Sequence, residues 1–162
     1  LVSVGRARAK ARDARRISDI ASIQSAAEML NDDTGSYELP GAGYVGPGGA
    51  KGAGWFNGAY PINVATELKT KGYFTTPPKD PTKAPTCANP CPFPPGSGYM
   101  YYPTSSSYNI YASLEKPNDT SPADGWDDRS VGVGAATASD PNPCEIGRQS
   151  QAGMNYCVHS GS

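Results

Sequence analysis

The sequence predicts an α+β fold: a long N-terminal α-helix packed on a small antiparallel β-sheet, rich in loops and stapled by disulfides. Three observations predict it. The stretch ARAKARDARRISDIASIQSAAEML near the start keeps helical spacing throughout. GYMYYP and SYNIYASLE flank a short TSSS, the pattern of a β-hairpin. Between and after them the 162-residue chain is dense in punctuation, with Gly 19 and Pro 16, and it carries four cysteines.

The helix comes first. Ile17, Ile20, Ile23, Ala27 and Leu30 step by three and four and make one apolar stripe. Ahead of them the stripe weakens to Val4, Ala7, Ala11 and Ala14. Asp13 with Arg16, and Arg15 with Asp19, stand at ion-pair spacings expected on the outer face. Asn31, Gly35 and Pro40 supply stop signals, so the helix is expected to run to about residue 30. A helix over 3–30 extends roughly 42 Å, whereas a body of some 130 residues has a radius of gyration of about 14 Å. The expected division is a protruding helical neck over 1–16 and a single globular head over 17–162.

Charge follows that division. Residues 1–30 hold six cations (Arg6, Arg8, Lys10, Arg12, Arg15, Arg16) against three acids, and the rest holds eight against twelve. A cationic stalk precedes an anionic body. The chain opens LVSVG without a methionine, which reads as the tail of an apolar stretch.

Residues 40–58 form a glycine-rich loop with Tyr44, Trp55 and Phe56; its order is not that of a phosphate loop, and pinning by the aromatics is expected. YPINVATELKTKGYF fits a short helix, with Pro61 near its first turn, Gly72 past its end, and Ile62, Val64 and Leu68 inward. Residues 75–98 are too proline-dense for helix or central strand. In the second hairpin strand Tyr108, Ile110, Ala112 and Leu114 alternate with Asn109, Tyr111 and Ser113, so one face should meet the helix and the other water. MNYCVH supplies a last short strand.

Cys87, Cys91, Cys144 and Cys157 favour two disulfides and an oxidising compartment. Three pairings are open, and sequence proximity favours Cys87–Cys91 and Cys144–Cys157. Zinc is the rival, but the spacings lack paired knuckles. NDTSPADGWDD gathers Asp119, Asp124, Asp127 and Asp128, hard oxygen donors that suit Ca2+, although the spacing is not that of an EF-hand and a solvated turn explains them equally. The single histidine, His159, and the lack of GxSxG or HExxH patterns argue against an enzyme. The basic helix has no interleaved aromatics, which argues against a dedicated nucleic-acid module.

The stretch KARDARRISDIASIQSAAEMLNDDTGSYELP, then GYFTTPPKDP, then GYMYYPTSSSYNIYASLE resembles type IV pilins and the related pseudopilins over residues 1–116. The resemblance implies a non-enzymatic subunit of a type IV pilus, polymerising through its N-terminal helix into a surface filament for adhesion, twitching motility or DNA uptake. The alternative it leaves open is the major pseudopilin of a type II secretion system. It implies partners as well: sister subunits in a homo-oligomeric filament, the pilus assembly machinery, and the inner membrane through an apolar helix half before assembly. DNA would be met only by the filament as a whole. Arg8, Arg12, Arg15 and Arg16 are then expected to meet acids of neighbouring subunits. Major pseudopilins hold calcium in their C-terminal loop, which adds weight to the aspartate cluster.

Overall fold

A computed structural model describes residues 2–39, 51–52, 54–56, 64–82, 98–115 and 156–160. Its first element, α1 (Val2–Thr34), has 33 residues, about 50 Å at the usual rise. It runs one turn past the expected stop. Asn31, Asp32 and Asp33 are helical, and the helix ends only where a residue can turn left-handed: Gly35 has φ 71° and donates its N–H to the Asn31 carbonyl at 2.7 Å.

The sheet is antiparallel throughout, and its four strands lie side by side in chain order. Its body is β2 (Tyr99–Pro103), β3 (Tyr108–Ala112) and β4 (Tyr156–His159), with the two-residue β1 (Gly54–Trp55) at the β2 edge. The β2–β3 hairpin pairs Tyr101 with Ile110 and Pro103 with Tyr108. Thr104 closes its turn: the hydroxyl oxygen accepts the N–H groups of Ser106 and Ser107, and the Thr104 N–H reaches the Ser107 carbonyl at 2.6 Å.

One sheet face receives α1. Ile20, Ile23, Ala26, Ala27 and Leu30 are buried against Tyr99, Tyr101, Tyr108, Ile110, Ala112, Tyr156 and Val158. Ile17 lies half-buried at the margin, and Ala26 takes the inward place that the sequence spacing did not give it. The opposite face departs from expectation. Tyr111 is wholly buried, not wet, in a cross-strand row with Met100 and Cys157, and the Tyr102 ring meets it edge-on at 6.1 Å. An alternating pattern marks which residues share a face, but not whether a second layer covers that face. The next row, Tyr102, Asn109 and His159, stays half-exposed, as does Ser113 beyond the strand.

The short helix α2 (Val64–Thr70) turns Val64, Ala65 and Leu68 inward. It ends in a Schellman cap: Tyr73 donates to the Leu68 carbonyl, Gly72 to that of Lys69, and Gly72 takes φ 89°. Phe56 ties this helix to the sheet, receiving the Ala65 N–H on its carbonyl and donating its own to Tyr99. Its buried ring meets Phe74 edge-on at 5.8 Å, so the expected aromatic pin of the glycine-rich loop falls here; Tyr44 and Ile62 lie outside the described residues.

Two glycines give opposite expectations. Gly52 has φ 95°, and a Cβ there would stand 2.7 Å from the Leu39 Cβ. Gly52→Ala is expected to destabilise by about 1–3 kcal/mol. Gly5 lies within α1 with nothing within 4 Å of an added Cβ, so Gly5→Ala should stabilise by up to about 1 kcal/mol through helix propensity. Urea denaturation of the two variants checks both signs.

Candidate functional site: the basic neck of the long helix

Among the described residues, Arg16 is the largest side chain buried below two per cent exposure. A guanidinium has five N–H donors in a rigid fork, and all five are used here. Nε and Nη2 straddle Asp80, at 3.0 Å to Oδ2 and 3.2 Å to Oδ1. Nη1 reaches Asp13 Oδ1 at 2.7 Å and Glu115 Oε1 at 3.1 Å, and Nη2 also reaches Thr82 Oγ1 at 3.1 Å.

Each acid comes from a different part of the chain. Asp13 sits one turn earlier on α1. Asp80 belongs to the PPKDPT turn, where its Oδ1 accepts the Thr82 N–H at 2.7 Å and its Oδ2 the Gly98 N–H at 3.3 Å. The Asx turn that shapes this segment therefore also aims its carboxylate at the helix. Glu115 follows β3, held by its own N–H on Asp13 Oδ1 at 3.0 Å. Arg12 then grips Glu115 in two-pronged fashion, at 2.6 and 2.5 Å.

The electrostatics follow. Burial pulls the Arg16 guanidinium toward neutrality, but bonds to Asp80 and Asp13 outweigh it and raise its pKa. Burial likewise pushes Asp80 up, and the bonds from Arg16 and Thr82 bring it below the ordinary value. The Arg12 bond, with help from Arg16, lowers Glu115 to about 2.

The arginines expected at a subunit interface are thus separated. Arg12 and Arg16 are turned onto their own chain, and the Asp13–Arg16 pair lies on the inner face, not the outer one. Arg8 is exposed, and Arg15 is exposed with only a 3.9 Å contact to Asp19. Burial begins earlier than residue 16, with Ala9, Asp13 and Arg16 all inside; residues 4–8 are exposed without interruption.

Higher on the helix, tyrosines do similar work. Tyr99 donates to Asp19 at 2.6 Å, Tyr37 and Tyr108 both to Glu28 at 2.9 Å, and Tyr73 to Asp33 at 2.9 Å. Burial, then the carboxylate bond, raises the phenol pKa of Tyr99 and Tyr108. These pairs, three of them between residues 40 or more positions apart, had no sequence signal beyond the presence of tyrosines.

Cys157 is buried in β4 and is not a free thiol. Cys87, Cys91 and Cys144, and the aspartates 119, 124, 127 and 128, lie outside the described residues. Among the described residues no group of three His, Cys, Asp or Glu could hold a metal; Arg16 occupies the space between Asp13, Asp80 and Glu115. No helix among them is long and apolar enough to cross a membrane.

The class this geometry defines is an α+β chain with a long N-terminal helix packed on a small antiparallel sheet, an arrangement consistent with a pilin-like fold. No protein-family model, curated protein or solved structure matches the chain.

Removing Arg16 leaves buried carboxylates uncompensated, so Arg16→Met should cost about 3–5 kcal/mol, whereas Arg12→Ala, at a pair open to solvent and screened by it, should shift the midpoint far less. Denaturant midpoints distinguish the two. Glu115 supplies a pH test. Its folded pKa lies below the ordinary 4.5, so its contribution is full above 4.5 and is lost as pH falls toward about 2. The stability difference between wild type and Glu115→Gln should shrink across that window; a constant difference would refute the assignment.

Proposed function

We propose that this chain is the head and neck of a type IV pilin-like subunit, a structural protein that polymerises through its N-terminal helix into a surface filament for adhesion, twitching motility or DNA uptake. The observation that carries the reading is the start of α1. Residues 4–8 are exposed on every side, with Val4 at 51 per cent, while the same helix is locked to the head from Ala9 onward. An apolar side chain and three cations (Arg6, Arg8, Lys10) project on a rigid rod with no partner among the described residues. Sister subunits would cover them. On this reading the helix continues ahead of Leu1 into an apolar half that holds the subunit in the inner membrane until the assembly machinery extracts it. The finished filament stands outside the cell.

Electron microscopy of cells with and without the gene tests the proposal. Loss of surface filaments on deletion is the expected result. Unchanged filaments reject it, and a secretion defect without any filament would indicate the pseudopilin alternative. The coding sequence upstream of Leu1 is a second check: the proposal requires about 20 consecutive, mainly apolar residues there.

A further inference from the structure

The exposed face of α1 is divided by charge. Its first turns carry Arg6, Arg8 and Lys10, all exposed; its last turn carries Asp32 and Asp33 and no base; between them the exposed Arg15 lies beside Asp19, and Glu28 has both oxygens on tyrosine hydroxyls. The capped C-terminal end of a helix is the negative end of its dipole, so two aspartates there are unfavourably placed within one copy. Asp33 has the Tyr73 hydroxyl as a donor, and Asp32 has no ion-pair partner among the described residues.

The exposed large apolar side chains among the described residues are Val4, at 51 per cent, and Met29, at 49 per cent. They too sit at opposite ends of α1. Met29 follows Val4 by about 25 residues, close to seven full turns, so both point to the same side of the rod. Asp32 and Asp33 follow Arg8 by the same interval, within one residue.

We infer that two copies of this chain pack their helices in parallel with an axial offset of about 25 residues, roughly 37 Å, Val4 of one copy lying against Met29 of the next and Arg8 against Asp32 and Asp33. The inference rests on the filament reading and names its register. One shift satisfies both the apolar and the ionic pair. An antiparallel pair that joined Val4 to Met29 would instead set Arg8 level with Ser25, and the charges would miss. The contact is heterologous: it uses one end of the rod on one copy and the other end on its neighbour, so each addition exposes a fresh pair of ends and growth does not close. Arg12 and Arg16 take no part, since their donors are bound within the chain.

Cysteine cross-linking in cells making the full-length subunit tests the register. In one copy of a straight helix, positions 4 and 29 are far beyond the roughly 7 Å that a disulfide spans between Cα atoms. Val4→Cys with Met29→Cys should therefore give, on mild oxidation, a ladder of multimers that neither single variant gives. A product that stops at the dimer, or no product beyond wild type, overturns the inference. In parallel, Arg8→Asp should lower filament yield by about tenfold through like-charge repulsion, and adding Asp32→Arg should restore it; failure of the swap to restore yield counts against the pairing. Wild-type filaments seen by microscopy without the ladder would sink the register alone. Absence of wild-type filaments would overturn the filament reading and this register with it.

Discussion

A buried guanidinium cannot be left without counter-charges, and that requirement organises the molecule. Arg16 is held in the interior by Asp13, Asp80 and Glu115, with Thr82 taking a remaining donor. To supply them, the PPKDPT turn and the end of β3 must both come to the side of α1. The same residues that neutralise the charge therefore fix where the proline-rich segment and the sheet sit against the helix. Such clusters add little net stability compared with an apolar core of the same volume, because desolvation offsets most of the attraction. Cohesion comes from Ile20, Ile23, Ala27 and Leu30 against the sheet; placement comes from Arg16.

The tyrosine bonds extend this placement along the rod. Asp19, Glu28 and Asp33 each accept a phenol from the body. A slide of α1 by one turn would break all of them and the Arg16 cluster together, and would leave buried hydroxyls unpaired. The tyrosine richness of the sheet is thereby explained: phenylalanine would fill the same space but could not register the helix. Tyr101 serves the same end by donating to the Tyr37 carbonyl at 2.9 Å, which holds the segment after α1 against β2.

Much of the architecture was legible because it depends on local periodicity. The stripe from Ile17 to Leu30, the hairpin from Tyr99 to Ala112, and the glycine cap at Gly72 each announce themselves within a few residues. The docking of the neck was not legible. Asp13 and Arg16 showed the right spacing, but an i,i+3 pair reads the same on either face of a helix, and the deciding partners lie 64 and 99 positions away. Tyr111 failed for a related reason, since alternation assigned it correctly to the second face while the burial of that face depends on packing outside the strand. Burial of an arginine was the least predictable feature, because composition alone places that side chain in water.

Internal pairing also explains which charges remain for use outside. Arg12 and Arg16 neutralise the acids nearest the neck, so the exposed cations of the rod are Arg6, Arg8 and Lys10 in its first turns and Arg15 beyond them, while its last turn exposes Asp32 and Asp33. A flexible chain could bring such groups together by bending. This helix is held at Arg16, Asp19, Glu28 and Asp33 by hydrogen bonds to the body, which oppose such bending. Rigidity thus keeps the charges at the two ends of the rod apart within one molecule. The clamps that bind the rod to its head are in this sense what holds its two ends apart, since a helix free to fold back would satisfy its own ends.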